Sequence, residues 1–505
     1  MFTGVVRLVA VLFGALIVLS VGSAQAAPGE LDPSFGRAGK VVTILGTTDD
    51  WVWLDDVALQ SDGKIVAAGG SGAFGSEDFT LVRYRTDGKL DESFGTGGTV
   101  TTSVATNDDE ALKVALQPDG KIVAVGAGGD GSQGYGIVAR YDAGGALDKA
   151  FGSSGSVEAR LGLNSFLRTV AVQADGKIVV AGTAFEPEQG QFRFVVGRYD
   201  ADGTLDRSFG SGGWASPGGD SSAAADVALQ PDGKIVVAGS RVRVVAGDYE
   251  WSGFVLARYR SDGTLDPTFG AGGRVVTQVG AGGEADAVVL QTDGKVLVGG
   301  TTIAKSGEGV DSSGKLALVR YEADGSLDPT FGRGGKATSG FGKLGYAEDV
   351  VLLAGGRIAV AVGNGLGLFE VARYLPNGAP DKAFGKEGVA RASFGGQFDV
   401  ATSVVVQPDG MLIGAGTTYS SAKEEQRFAL ARFIATQTIC HVPRLKGRGL
   451  SDAKGAVARG HCSVGRVRWI FSKAPRGRVV SQTPLAGTHM VAGAKVGLVV
   501  STGAR

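Results

Sequence analysis

The feature that most constrains this chain is a repeat of about sixty residues. Three short markers, L-D-x-x-F-G, Q-x-D-G-K-I and A-R-Y, recur with variations along most of its 505 residues. The first starts at residues 31, 90, 147, 205, 265, 327 and 380, the second starts at 60, 117, 173, 230, 291, 353 and 407, and the third ends on the aromatic residue at 84, 141, 199, 259, 321, 374 and 433. Each marker therefore occurs seven times, and the repeat governs the interpretation of every shorter motif.

One repeat contains several strand-like runs. The strings DVALQ, KIVVAG and FVLARY are short, rich in β-branched or aromatic residues and bounded by turn residues. Q-P-D-G-K between the first two is typical of a hairpin turn, and a fourth run such as GRVVT follows the first marker. The 85 glycines suit a chain with many tight turns. The pattern predicts an all-β fold: a seven-bladed β-propeller of four-stranded blades.

The phase of the repeat makes a further prediction. The first L-D-x-x-F-G copy precedes the first complete set of inner strands, and the last repeat stops without a fourth strand. We therefore expect a strand near Lys40 to Thr43 to complete the last blade and close the ring.

The three markers together resemble the delta-60 repeat, a bacterial propeller-forming repeat, over Leu31 to Phe433. The resemblance implies a propeller domain over residues 28–436 and little chemistry.

The N-terminus has the pattern of an export signal. Arg7 is followed by an apolar run, Leu8 to Gly22, and by small residues at Ala24 and Ala26. We predict a signal peptide over residues 1–27, with an uncleaved anchor as the alternative. No later apolar run is long enough to span a membrane, so the mature chain is expected to be secreted.

The last sixty or so residues follow a different pattern. A short helix over Leu450 to Arg459 and three strands, VRWIF, RVVSQ and KVGLVVS, predict a small α+β module over residues 439–502. Val442 and Pro443, the helix, SQTPLAGT at 481–488 and the closing KVGLVVS resemble a PASTA domain from Cys440 to Thr502. The resemblance implies a link to peptidoglycan fragments and to the cell wall.

The only two cysteines, Cys440 and Cys462, lie in this module. In an exported chain such a pair favours a disulfide. Zinc is the alternative, because His441 and His461 adjoin the two cysteines.

Charge separates the two parts of the chain. From residue 439 onward twelve Lys and Arg face Asp452 alone, a net charge of +11, whereas the mature propeller carries −13. The basic module is expected to be attracted to an anionic wall polymer; a solvated surface, or docking on the acidic propeller, is the alternative. Nucleic acid is not an expected partner, because the basic part has no recognition helix.

Few motifs point to catalysis. All three histidines lie in the C-terminal module, which excludes a Ser-His-Asp triad and imidazole metal ligands from the propeller. No cofactor motif is present in a suitable context. We therefore predict no catalytic residue, no metal and no cofactor.

Carboxylates before the first strand of several repeats are the main candidates for chemistry. Asp55, Asp56, Asp226, Asp286 and Asp349 are the principal ones, and Glu110, Glu284, Glu348 and Asp399 occupy related positions. In a propeller they would gather at one mouth of the central channel and bind a cation or basic partner, or act as a glycosidase pair. The alternative is that they form turns.

Loops of variable length offer a second candidate surface. Phe185, Tyr249 and Trp251 lie in such loops and would stack on sugars or anchor a protein. The alternative is that they pack between blades.

The sequence therefore favours a secreted, non-enzymatic, monomeric binding protein, whose propeller contacts a cell-wall polymer, glycan or surface protein and whose PASTA-like domain localises it. An envelope lyase or glycan hydrolase that uses the channel carboxylates is the alternative, and a surface spacer or adhesin is a third.

Overall fold

The computed structural model describes residues 27–47, 50–105, 107–162, 164–219, 221–245, 248–306, 309–339, 345–420, 425–435, 439–459, 462–491 and 495–504. The predicted signal peptide lies outside them, apart from Ala27. The chain divides into two compact units, Ala27–Gln437 and the residues from Thr438.

Within the described ranges, the repeats consist of strands and their connections, with one 3-10 turn at Ala354–Gly356. The strands are β1 (Lys40–Thr43), β2 (Asp50–Leu59), β3 (Ile65–Ala73), β4 (Asp78–Tyr84), β5 (Thr99–Thr102), β6 (Asp109–Leu116), β7 (Ile122–Gly129), β8 (Gly134–Tyr141), β9 (Ser156–Ala159), β10 (Asn164–Val172), β11 (Ile178–Glu186), β12 (Gln191–Tyr199), β13 (Trp214–Ala215), β14 (Ser222–Leu229), β15 (Ile235–Val245), β16 (Asp248–Tyr259), β17 (Arg274–Thr277), β18 (Gly282–Leu290), β19 (Val296–Ser306), β20 (Gly309–Tyr321), β21 (Lys336–Ser339), β22 (Tyr346–Leu352), β23 (Ile358–Gly363), β24 (Phe369–Tyr374), β25 (Val389–Ala392), β26 (Phe398–Val406), β27 (Leu412–Ser420) and β28 (Glu425–Phe433).

Consecutive strands pair antiparallel through the predicted Asp-Gly turns. In the first, the Gln60 N–H donates to the Lys64 carbonyl at 2.8 Å, and Gly63 adopts a φ of 84°, a conformation that glycine allows without steric cost. Three sheets have four strands: β2 to β5, β22 to β25, and β26 to β28 with β1. Two larger sheets have eight strands, each with one parallel contact: Asn164 with Gly134, and Ser252 with Gly283. The all-β prediction is confirmed for the repeats.

The N-terminal strand joins the last repeat, as the phase of the repeat predicts. Lys40 to Thr43 pair antiparallel with Ala431 to Phe428 of β28. The Asp32 N–H donates to the Arg432 carbonyl at 2.8 Å, which extends the pairing toward the N-terminus. This pairing covers the edge of β28, which would otherwise be exposed.

The L-D-x-x-F-G marker is part of the architecture. In one copy Arg258 pairs with Asp266 at 2.9 Å, and its guanidinium carbon lies 4.6 Å from the centre of the buried Phe269 ring. The Gly270 N–H donates to the carbonyl of Asp324 in the following repeat at 2.7 Å. The marker therefore binds each repeat to the next, and its recurrence reflects packing.

The C-terminal unit contains β29 (Ile439–His441), α1 (Leu450–Arg459), β30 (Ser463–Ile470), β31 (Val479–Thr483), β32 (His489–Val491) and β33 (Lys495–Ser501). The strand order is β30-β33-β31 in one sheet, and β29 pairs with β32 in another. The predicted helix and three strands are confirmed; the two-stranded sheet was not predicted. Val457, Val496 and Leu498 are buried in its core. Among the residues that the structure describes, no helix has the length and apolarity to cross a membrane.

Candidate functional site

A β-bulge recurs in the first strand of every repeat. The pairing shifts register at one position, and the residue skipped there is, in chain order, Asp55, Leu112, Arg168, Ala225, Asp286, Glu348 or Thr402. All of these residues line one cavity of 380 Å³. Bulges redirect side chains and are common beside functional sites. The strands thus bring the predicted carboxylates Asp55, Asp286 and Glu348 into a single channel, which Asp226 also lines.

In three repeats the residue directly after the bulge is an aspartate that accepts a hydrogen bond from the backbone of another repeat. Asp56, Asp226 and Asp349 are the other predicted carboxylates, and each accepts a backbone N–H from another repeat. The pairs are Asp56 with Val114 at 3.0 Å, Asp226 with Val288 at 2.8 Å and Asp349 with Val404 at 2.9 Å. These carboxylates therefore connect the repeats around the channel, a role closer to the structural alternative than to ligand binding.

Asp56, Asp226 and Asp349 form a ring of carboxylates, and Lys113 is the cation that faces them. Its Nζ lies 3.3 Å from Asp56 Oδ1. Burial opposes its charge, but the carboxylates of Asp56, Asp349 and Asp226 outweigh that cost and raise the pKa of Lys113. Burial raises the pKa of Asp349 to about 6, against the opposing effect of Lys113. The ring is a partly buried ionic cluster that includes one lysine and three aspartates.

Ser403 bridges two of these aspartates. Its hydroxyl oxygen lies 3.0 Å from Asp56 Oδ1 and 2.9 Å from Asp349 Oδ2. A hydroxyl has a single hydrogen to donate, so it can satisfy only one carboxylate at a time. A proton on Asp349 allows that carboxyl to donate to Ser403 while Ser403 donates to Asp56, which agrees with the raised pKa of Asp349.

The carboxyls that line the channel share it with Arg168. Burial raises the pKa of Glu348 to about 7, with a further contribution from the charge of Glu284. Burial, followed by the charges of Glu284 and Glu348, raises the pKa of Asp286. The Arg168 guanidinium opposes each of these shifts. The channel therefore places several carboxyls of raised pKa in one cavity with an arginine.

A larger groove lies beside the channel, with a volume of 690 Å³. Its lining includes Trp51, three acidic residues in sequence from Asp108 to Glu110, and several glycines. The Trp51 side chain is 45% exposed and meets the 81% exposed Phe74 edge to face, with ring centroids 5.6 Å apart. Neither aromatic was predicted as a site residue, because both lie outside the repeat markers and are particular to the first repeat.

The acidic residues of the groove differ in role. Asp109 accepts backbone N–H groups from Phe79, Val104 and Ala105 at 2.7 to 2.8 Å, so it holds the loops in place. Burial raises its pKa to about 6. Glu77 and Asp108, by contrast, share a side-chain hydrogen bond, and burial together with this bond raises the pKa of Glu77.

Glu110 links the groove to the channel. It lines the groove and shares a hydrogen bond with Asp55 of the channel. Burial raises the pKa of Glu110, and burial followed by the Glu110 charge raises that of Asp55. Gly70 lies beside this pair: a Cβ built on it would be 3.4 Å from Glu110 Cγ, an ordinary contact distance. The two cavities thus share one hydrogen-bonded carboxyl pair.

The predicted loop aromatics do not line either cavity. Phe185 packs against Phe192 with ring centroids 5.3 Å apart. Trp251 is half-buried in β16 opposite Val242. Tyr249 pairs through its backbone with Val244, and its side chain lies outside the described part. The packing alternative suits Phe185 and Trp251 better than a binding role.

The remaining candidates are Asp399 and the cysteines. Asp399 accepts the Phe394 N–H at 3.0 Å and so forms a turn. Cys462 is buried in the core of the C-terminal unit, and the side chain of Cys440 lies outside the described part. The disulfide stays a prediction. Within the described ranges no cluster of His, Cys, Asp and Glu is arranged to hold a metal ion.

Family models match both parts of the chain. The model described as "Domain of unknown function (DUF5122) beta-propeller" matches residues 60–94, 117–151, 173–209, 230–269, 291–331 and 407–434. These segments begin at copies of the second marker, and the degenerate copy at 353 is not among them. The PASTA domain model matches residues 441–502. No curated protein matches the sequence significantly.

Solved structures resemble the chain distantly. Sqt1 from Chaetomium thermophilum is 13% identical, with a TM-score of 0.38 over 74% of this chain and 83% of its own. The polysaccharide lyase Uly1 is 13% identical, with a TM-score of 0.42 over 83% and 94%. The β-propeller domain of the Trilobed protease from Pyrococcus furiosus is 11% identical, with a TM-score of 0.38 over 76% and 94%. These likenesses carry no argument about function. The family models thus find a DUF5122 β-propeller domain in the repeats and a PASTA domain in the C-terminal unit.

Proposed function

We propose that this chain is a secreted, cell-wall-associated binding protein whose propeller holds a glycan in the groove beside Trp51. The proposed propeller is a closed ring of seven four-stranded blades built from delta-60 repeats. Residues 1–27 would direct export, and the mature chain would act as a monomer without a cofactor.

The exposed pair Trp51 and Phe74 carries this proposal. Aromatic faces on a rigid scaffold bind the C–H faces of sugar rings, and nearby carboxyls bind the hydroxyl groups. Glu77 and Asp108 supply such carboxyls on the same groove as Trp51. A volume of 690 Å³ suits a ligand of a few sugar rings.

The PASTA domain would hold the propeller at the wall. Domains of this family are associated with peptidoglycan, and the net charge of +11 from residue 439 onward favours an anionic polymer as well. A disulfide between Cys440 and Cys462 would stabilise so small a domain by roughly 3 kcal/mol.

Two measurements on a chain that begins at Ala27 test the proposal: affinity for soluble wall glycans tests the groove, and retention on purified, insoluble cell wall tests the PASTA domain. We expect the double variant Trp51→Ala, Phe74→Ala to bind soluble wall glycans about tenfold more weakly. Leu366→Ala is the matched control, because Leu366 is 55% exposed and does not line the groove. A chain truncated after Gln437 should bind soluble glycan normally but lose retention on the wall. Unchanged glycan affinity in the double variant refutes the groove, and unchanged wall retention in the truncated chain refutes the localising role.

An envelope lyase or glycan hydrolase is the second candidate, favoured by the channel. Glu348, with a pKa of about 7, is suited to general acid or base catalysis, and Arg168 beside it could neutralise a substrate carboxylate. This function predicts cleavage of wall glycans that is abolished by Glu348→Gln while glycan binding in the groove persists. Absence of cleavage by the unaltered chain would leave the binding function alone.

A further inference from the structure

The C-terminal unit carries an exposed apolar tip. Trp469, Ile470 and Phe471, three consecutive residues at the end of β30, are 50%, 42% and 63% exposed. Successive residues of a strand point to opposite faces. Because all three are exposed, this end of the strand presents apolar side chains on both of its faces.

Hydrogen bonds hold this tip in place. The Ile470 carbonyl accepts the Thr502 N–H at 2.8 Å, and the Ser472 N–H donates to the Gly503 carbonyl at 3.2 Å. β30 is the edge strand of its sheet, with β33 on one side. The apolar side chains are therefore presented on fixed backbone rather than on a loose loop.

Basic residues surround the same end of the sheet. Arg468 belongs to β30, and Lys473 and Arg476 lie in the connection to β31; all three are exposed. Their only acidic counterpart in the sequence from 439 onward is Asp452, in α1. Among the described residues none of the three forms an ion pair with a carboxylate.

We propose that this tip inserts into the interface of an anionic phospholipid membrane. Aromatic and aliphatic side chains enter the boundary between headgroups and acyl chains, and flanking cations contact lipid phosphates. A lipid interface surrounds an inserted strand end and so covers both apolar faces, whereas a polymer or a partner strand covers one side. This contact is independent of the glycan groove and of wall binding by the PASTA domain.

Vesicle binding by the chain that begins at Ala27 tests the proposal, since this chain lacks the apolar segment Leu8 to Gly22. We expect sedimentation with vesicles that contain phosphatidylglycerol, weak sedimentation with phosphatidylcholine alone, and a loss of binding as salt rises. Trp469→Ala with Phe471→Ala should weaken binding about tenfold, and Arg476→Glu about fivefold or more.

Matched controls lie at the opposite end of the sheet. Leu485→Ala removes a 77% exposed apolar side chain, and Lys495→Glu makes the same charge change as Arg476→Glu at the first residue of β33. Both should bind normally. Brominated lipid should quench tryptophan emission in the unaltered chain and quench it less in Trp469→Phe.

Three results would overturn the proposal. One is unchanged vesicle binding in the Trp469, Phe471 double variant with an unchanged melting temperature. Another is binding to soluble polyglycerol phosphate but not to vesicles, which would assign the tip to a polymer. The third is concentration-dependent dimerisation lost in the same double variant, which would assign it to strand pairing between chains.

Discussion

Arg432, near the end of the last repeat, pairs with Asp32 at 2.6 Å although four hundred positions separate them. Its guanidinium carbon also lies 4.8 Å from the centre of the Phe35 ring. In the other repeats the same three residue types come from one short stretch, as in Arg258 with Asp266. Asp32 and Phe35 of the first marker thus make with Arg432 the contacts that the arginine of each other repeat makes with residues a few positions away.

Arg432→Ala should therefore detach the N-terminal segment. The expected loss is about 3 kcal/mol, because removal of one partner leaves a buried charge unpaired. Hydrogen exchange should accelerate at the Asp32 and Gly29 amides, which donate to the carbonyls of residues 432 and 434. Arg258→Ala, the matched control, should lose similar stability but leave these amides protected. Equal protection in both variants would contradict the closing role of this pair.

Deletion of residues 31–43 tests the same closure on a larger scale. Without β1, the edge of β28 lacks its partner from residue 428 to residue 431. We expect the melting temperature to fall by roughly 10 °C or more, because the loss of β1 should lower the free energy of unfolding by several kcal/mol. An unchanged melting temperature would show that β1 contributes nothing to closure.

The repeat made much of this fold predictable. Marker spacing located the strands, the Asp-Gly turns and the partner of β1, because each is fixed by local turn chemistry or by strand count. The channel was harder to predict. Asp55 and Asp56 are adjacent in sequence, yet Asp55 lines the cavity and Asp56 accepts the Val114 N–H, because Asp55 is the bulged residue that has no pairing partner in β3.

The groove could not be predicted from the repeat. Trp51 and Phe74 meet only after β2 and β3 pair, and no other repeat carries the same two aromatics at those positions. The sequence predicted Phe185 and Trp251 in loops, but they lie in β11 and β16, where hairpin pairing places them against their own neighbours. Exposure is a property of the assembled surface, which marker spacing does not encode.

Lys113→Met should destabilise the propeller strongly. It removes the cation that faces Asp56, Asp226 and Asp349, at an expected cost of about 3 kcal/mol at pH 7.5. Addition of Asp349→Asn should restore part of that loss, because one fewer carboxylate in the cluster then remains without its cation. Lys89→Met, at a 69% exposed side chain, is the matched control and should change stability little. Equal stability of Lys113→Met and Lys89→Met in urea would contradict the ionic cluster.

The channel also predicts how stability depends on pH. The pKa of Glu348 is about 7 in the folded chain against an ordinary 4.5, and that of Asp349 is about 6 against 3.8. The folded state therefore binds more protons than the unfolded state between these values, and stability declines as pH rises from about 4 to 7. The contribution of each carboxyl to the free energy of unfolding is full below its pKa in the unfolded chain and is lost above its pKa in the folded chain.

Urea unfolding of the unaltered chain and Glu348→Gln at pH 5 and pH 8 measures this effect. The unaltered chain should be more stable at pH 5 than at pH 8, within the range where its other carboxylates remain ionised. Glu348→Gln cannot titrate at this position, so it should lose less stability between the two pH values. Glu387→Gln, at a 69% exposed side chain, should retain the full difference. An identical pH dependence in Glu348→Gln and Glu387→Gln would mean that the channel glutamate is ionised in the folded chain at both pH values.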